Sequence, residues 1–342
     1  MKQAIIFLVI SVFLTNCATN NLTIRVTEPA PVSVSSSVKT IGVVNRTDTK
    51  QKKLSDKIAD ITKLGLLKAD SLAALKAVDG LYEGLRNAER FEQTLKLGRL
   101  YLKNDLHAAF SPPLKQEQVQ DICRRNKLDA LFVLEYLDTD TRVTYDGVMV
   151  KRKIAGVEVE VPETKATADT RMRLGWRIYD ADGKHIYDQY DAAKNVRSFG
   201  QGVNPMKAIN AVAGHLAVIQ TAAYDMGKAY SNDLLPYSHR VSRIYYVKGT
   251  DNFKVGKRLA RAGKWDDAAD YWEKETDNPK SKIAGRAYYN MAIINEINGD
   301  LDAAVDWAEK SYTLYNNKKA LNYLRILRNR IARAEELKRQ TE

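Results

Sequence analysis

Four histidines stand in this chain, His107, His185, His215 and His239, and no two share a spacing that chelates a metal. A zinc site needs imidazole or thiolate groups in close sequence pairs, as in HExxH, and that pairing is missing here. His215 sits among Val212, Leu216 and Ile219, the setting of a packed histidine. Cys123 follows Ile122 on an apolar helical stripe and reads as an inert buried thiol. Neither GxSxG nor a phosphate loop is present. Gly200-Gln201-Gly202 leads into Asn204-Pro205, a helix entry that either cradles an anion or simply turns the chain. Carboxylates for glycan chemistry would have to converge from separate loops, with Asp138, Asp140 and Asp180 as candidates. These templates point to a protein that is not an enzyme and takes neither metal nor cofactor.

What remains is binding chemistry, carried by three groups of residues. Arg171, Arg173 and Arg177 alternate with Ala166, Ala168, Thr170, Met172, Leu174, Trp176 and Ile178. Period-two alternation puts the arginines opposite the apolar face, as a solvated surface or an anion-binding stripe. Further on, Trp265, Tyr271, Trp272, Tyr288, Tyr289, Trp307 and Tyr312 are crowded together. Most of them pack between helices; Trp265, Tyr288, Tyr289, Asn290 and Asn295 are the residues expected to face a bound peptide. Finally, Lys318, Lys319, Arg325, Arg328, Arg330 and Arg333 follow without an acid until Glu335. That helix is a solvated cap or a contact for membrane phosphates, with Lys318, Lys319, Arg325 and Arg328 as anion-binding candidates.

The elements that must position these groups fall into two domains, the number expected at roughly 150 residues each for a chain of 342. With 44% hydrophobic and 28% charged residues the composition is globular, and it excludes a collagen, a disordered tail protein and a multi-span membrane protein. Two cysteines exclude a disulfide framework. The formal charge of +12 asks for a polyanion or for nothing beyond solubility.

Val38–Val44 reads as a first central strand. Helical spacing follows through Ile58, Ile61 and Leu64, then Leu72 to Leu85 with Ser71 as cap, then Phe91 and Leu95. After Pro112-Pro113 comes a helix over Lys115–Asn126, then the apolar run Leu128–Leu137, a strand buried on both faces. Val143–Val150 with Ile154–Val161 reads as one hairpin. The arginine-bearing strand turns at Asp180-Ala181-Asp182-Gly183 and returns through Ile186–Tyr190 as another. Met206 to Tyr230 steps by three and four, a single long helix capped by Asn204. The expected fold class is α/β, a mixed sheet covered by helices, over 38–246.

From Asp251 the chain is helical and repeats itself. Gly263/Gly299, Asp266/Asp302, Ala268/Ala304, Asp270/Asp306, Glu273/Glu309 and Lys274/Lys310 match at a constant offset of 36. Such a period describes an all-α helical-hairpin solenoid, here over 247–342. The stretch Asn252–Asn316 resembles the tetratricopeptide repeat (TPR): Gly263 and Gly299 at the tight turn, Ala268 and Ala304 at the helix crossing, Gly256 and Ala292 in the first helices, Tyr288 and Pro279 near the family's aromatic and terminal proline. Glu275 and Ser311 depart from its alanine position, and the unit is two residues longer. Ala320 to Ile331 supplies a closing helix, and Tyr245-Tyr246 is expected to join the other end to the α/β domain.

At the start, Lys2, the apolar run Ala4–Leu14 and Cys17 have the form of a cleaved signal peptide over 1–16. Leu14-Thr15-Asn16-Cys17 resembles a bacterial lipobox, with Asn16 where a small residue is usual. The resemblance implies acylation of Cys17, anchoring at the outer membrane and, with no acid in Ala18–Asn21, the periplasmic face. Residues 17–37 then form a lipidated tether with a short edge strand at Leu22–Val26. In that compartment no nucleic acid is expected.

Over its length, through Arg243–Glu309 above all, the chain resembles uncharacterised Gram-negative lipoproteins that join an α/β domain to a TPR-like repeat domain. Through IGVV, LDALFVLEY and YDADGKHIYD, the α/β part is loosely similar to curli-secretion and penicillin-binding-protein-activator lipoproteins. The resemblance implies a lipid-anchored scaffold or assembly factor that holds an envelope protein partner. The alternatives are a binder of lipopolysaccharide, anionic lipid or glycan, and an envelope glycan-processing enzyme. The sequence leaves the oligomeric state open.

Overall fold

The computed structural model describes residues 18–47, 69–100, 110–212 and 214–342. The signal segment, Cys17 and the helical stretch expected around Ile58–Leu64 lie outside them. The chain forms two compact units: Pro29–Pro236 with Arg339–Glu342, and the rest of the described residues.

In the first unit β2 (Thr40–Asn45), β3 (Gln93–Arg99), β4 (Ala130–Ile154), β5 (Val157–Asp180) and β6 (Ile186–Gly202) make one sheet in the order β3-β2-β4-β5-β6. β2 is parallel to β3 and β4, whereas β4, β5 and β6 are antiparallel. Parallel neighbours need crossovers, supplied by α1 (Ala69–Asn87) and α2 (Gln116–Asn126). α3 (Pro205–Asn210) and α4 (His215–Asp233) follow β6.

One sheet face buries Ile41, Val43, Phe132, Leu134, Met172 and Trp176 in the core that holds Leu81 and Leu85 of α1 and Ile219 and Met226 of α4. The other packs Val44, Leu131, Val133 and Tyr179 with Val119 and Cys123 of α2. Two covered faces explain the unbroken apolar run in β4. The fold class is therefore the expected mixed α/β layer.

Three local readings change. Phe91 and Leu95 do not continue a helix: Gln93–Arg99 is an edge strand beside β2. Ser71 lies inside α1, not at its cap. The long helix expected from Met206 to Tyr230 breaks in two, because Gly214 takes a φ of +74 as the N-cap of α4. A run of threes and fours carries straight across such a break; only the glycine marks it.

The second unit contains β1 (Thr19–Glu28) and β7 (Tyr237–Tyr246), an antiparallel ribbon. With it go α5 (Asp251–Arg261), α6 (Trp265–Glu273), α7 (Ser281–Asn298), α8 (Leu301–Thr313) and most of α9 (Lys318–Thr341), the expected tandem helices. The edge strand expected at Leu22–Val26 is there and is longer, ten residues, and it folds with the helices far along the chain instead of lying in a tether. Tyr245 and Tyr246 lie in the core of this unit itself.

Helices α1 and α4 touch through glycines. A Cβ on Gly80 would lie 2.0 Å from the Tyr224 carbonyl oxygen, and one on Gly227 2.0 Å from that of Ala77. Neither neighbour is a flexible side-chain end, so the helices would have to part. Gly80→Ala and Gly227→Ala are each expected to destabilise the α/β unit by about 1–3 kcal/mol in urea unfolding. Gly98→Ala, with open space around its Cβ position, should shift the midpoint by less than about 0.5 kcal/mol.

Candidate functional site

The repeat unit is built on small residues at the expected places. Gly263 and Gly299 turn the chain at φ +78 and +87 between paired helices, a conformation that favours glycine. Ala268, Ala292 and Ala304 are fully buried, and a Cβ on Gly256 would strike the Trp272 indole. The helices can therefore cross closely.

A deeply buried carboxylate ties the ribbon to these helices. Glu296 of α7, its side chain 1% exposed, accepts from Arg243 of β7 (Nη2 at 2.8 Å, Nε at 2.8 Å), from the Tyr323 hydroxyl (2.6 Å) and from Arg330 Nη1 (2.7 Å). Beside it, Asn290 satisfies both backbone groups of Tyr246, accepting its N–H at 2.7 Å and donating to its carbonyl at 2.8 Å. Tyr289 lies between the rings of Tyr246 and Tyr323, with centroids at 5.3 Å from each.

This changes the expected peptide-facing set. Asn290 and Tyr289 are buried and hold the ribbon, so they do not face a ligand. Asn295 donates to the Met291 carbonyl. Trp265 is half-buried edge-on to Tyr245, and Tyr288 packs with Trp307 and Tyr315. The closing helix is also less open than its sequence reads. Arg330 turns in to Glu296, Arg333 pairs with Glu28, and Arg328 lies 3.8 Å from Glu309, while Lys318, Lys319 and Arg325 are exposed.

Two basic grooves occupy this unit. The first, about 510 Å³, is lined by Tyr246, Lys282, Arg286, Tyr315, Lys318 and Lys319 among others. Arg286 and Lys319 lie 5.1 Å and 5.8 Å from the centre of the Tyr246 ring, each within cation–π reach. The second, about 580 Å³, is lined by Val247, Lys248, Gly249, Lys254, Lys257, Arg258 and Arg261. Arg286 joins them by donating to the Lys248 carbonyl at 2.6 Å. No acid lines either groove among the described residues; Lys254 has an exposed partner in Asp251. The periodicity Lys254, Lys257, Arg258, Arg261 is one helix face, a signal readable in the sequence and passed over beside the more conspicuous α9 cluster. Lys282 and Arg286 become part of the grooves only once β7 brings Tyr246 to them.

In the α/β unit the three strand arginines do share a face, but β4 answers them. Arg173 is opposite Asp138, paired at 3.1 Å, and Arg171 is opposite Asp140. Arg177 is buried, stacked on Phe110, bonded to the Ser111 carbonyl and 3.5 Å from Glu135. Glu135 also takes Arg46 at 2.7 Å and the Tyr179 hydroxyl at 2.6 Å, and burial with this carboxylate pushes Tyr179 up to about 12. The expected basic stripe is thus a charge-balanced ladder. Asp180, in register with Ala130 at the start of β4, accepts from Tyr187, whereas Asp138 pairs with Arg173.

His215 is buried between Thr170 Oγ1 (2.9 Å) and Ser198 Oγ (2.8 Å), and burial lowers its pKa. Gly200 and Gly202 let β6 run against α3, whose backbone a Cβ on either would strike; they serve packing there. Cys123 is buried, its thiol pushed up to about 11. No group of three or more His, Cys, Asp or Glu suited to a metal occurs among the described residues. None of their helices is long and apolar enough to cross a membrane.

Burial pushes the Glu296 carboxyl up, but the bonds from Arg243, Tyr323 and Arg330 outweigh it and hold it below its ordinary value. Glu296→Gln strands two arginines, and the repeat unit is expected to lose about 3–5 kcal/mol at neutral pH, read from fluorescence of its tryptophans during urea unfolding. The ionised carboxylate stabilises fully above its unfolded value and less as pH falls through the lower folded one. The gap between the two proteins should therefore close as the pH falls from the ordinary glutamate value through the lower folded one.

No curated protein matches the chain. Among solved structures, the hypothetical protein CT253 from Chlamydia trachomatis, solved at 1.65 Å, is similar at 9% identity and a TM-score of 0.21, over 56% of this chain and 99% of that one. A domain of unknown function, DUF6340, matches residues 254–329 in the helical repeats. The domain of unknown function DUF8603 matches residues 38–246, more than half of the chain, and the protein belongs to that family.

Proposed function

We propose that this protein is a non-enzymatic scaffold whose repeat unit holds an acidic segment of a partner protein along the two joined grooves. The observation that carries this reading is the grooves' lining: cations in both, beside Tyr246 and Tyr315 in the first, with no acid among the described residues. A groove with tyrosines among its cations suits an extended chain carrying Asp and Glu. Lipid phosphates, by contrast, present a broad plane.

An acidic, unstructured peptide is the probe. Its affinity should fall steeply with salt, and Lys282→Glu with Lys319→Glu should weaken it at least tenfold, about 1.4 kcal/mol, by fluorescence anisotropy. Absence of peptide binding together with strong binding to lipopolysaccharide or anionic vesicles would replace this reading with the polyanion one.

We also propose that acyl chains on Cys17 anchor the protein to the outer membrane, facing the periplasm. Cys17 precedes the first residue of β1 by two positions, so an anchor there would hold the repeat unit directly, with no long tether. Cys17→Ala should move the protein from the membrane to the soluble fraction and remove acyl mass from its N-terminal peptide. An unchanged distribution and mass would contradict the anchor.

A further inference from the structure

The β4–β5 hairpin runs far beyond the sheet it belongs to. β2 leaves β4 at Leu134, and β6 joins β5 only from Thr164 onward. Among the described residues, 148–163 therefore pair only with each other, as an arm whose two edges carry no further strand. Open edges invite pairing with another chain.

One face of the arm carries Val148, Val150, Ile154, Val157, Val159 and Val161, interrupted by the Arg152–Glu163 pair at 2.8 Å. Ile154 is 56% and Val157 62% exposed, and Met149 on the other face is 62% exposed. Charge is divided between the strands. β4 brings Lys151, Arg152 and Lys153, and β5 brings Glu158, Glu160 and Glu163.

We propose that the arm of one copy pairs edge to edge with the arm of a second copy of this chain, the β4 edge of one against the β5 edge of the next. Two β4 edges would set lysine beside lysine and two β5 edges glutamate beside glutamate, which like-charge repulsion disfavours. Only the head-to-tail pairing brings unlike charges together, and it keeps the sheet antiparallel. It also lines aliphatic side chains up laterally on the other face, where such cross-strand neighbours stabilise a sheet. An anionic membrane is the weaker occupant, since three cations and three acids leave the arm without net charge to draw it there.

The test uses exposed positions and spares the Arg152–Glu163 pair. Lys151→Glu with Lys153→Glu makes both edges acidic; Glu158→Lys with Glu160→Lys makes both basic. The full chain, purified in detergent, is followed by light scattering with circular dichroism as the folding check. Wild type should form concentration-dependent oligomers, and each variant alone should be monomeric. Each variant also sets like charges opposite within its own arm, at 151↔160 and 153↔158. The decisive rescue is therefore the equimolar mixture, which keeps those clashes and should associate again; the chain carrying all four substitutions should associate as well. A monomeric wild type, equal association of every variant, or association only on anionic vesicles would overturn the proposal.

Discussion

Burying a carboxylate is costly unless donors converge on it, and each unit holds one such many-donor cluster that fixes its geometry. Glu296 gathers Arg243, Arg330 and Tyr323; Glu135 gathers Arg46, Arg177 and Tyr179. Such a cluster adds little net stability over apolar packing, yet removing one member leaves charges stranded. Its main effect is geometric. Glu296 fixes which helices the β7 ribbon meets, and that placement puts Tyr246 in the floor of the first basic groove. Glu135 fixes Arg46, just past the end of β2, against β4 and β5, and holds the carbonyls of Ser111 and Pro112 through the same arginines.

The distribution of positive charge follows from these commitments. Several of the chain's arginines are turned inward or laced to acids: Arg46, Arg173, Arg177, Arg243, Arg330 and Arg333. What faces solvent as a cluster is a subset concentrated on α5 and the first turns of α7 and α9. The overall charge of +12 is therefore a poor guide to binding. The unpaired local clusters carry the long-range field, because charges paired at contact distance largely cancel beyond it.

Much of the architecture was legible in the residues. Alternation identified β5, a continuous apolar run identified β4, and the glycine–alanine repeat placed the helix pairs. What could not be read depends on partners distant in sequence. Asn290 has the look of a ligand-facing polar residue on a repeat helix; it is buried because a strand from outside the repeat needs both of its hydrogen-bonding groups. β1 reads only as a short edge strand, Leu22–Val26, inside a linker, because its partner is more than two hundred residues away. The arginines of β5 look like a basic stripe until β4 supplies acids at the same register. Leu95 fits either period, and only the parallel neighbour β2 decides for a strand.

The central claim is that the repeat unit receives an acidic partner segment along its basic face. Hydrogen–deuterium exchange of the full chain, with and without a saturating acidic peptide, tests it most directly. The account predicts new protection confined to α5, the Val247–Gly249 link and the first turns of α7 and α9. Protection absent there, or falling on the β5 arginines or the C-terminal half of α9, would contradict it.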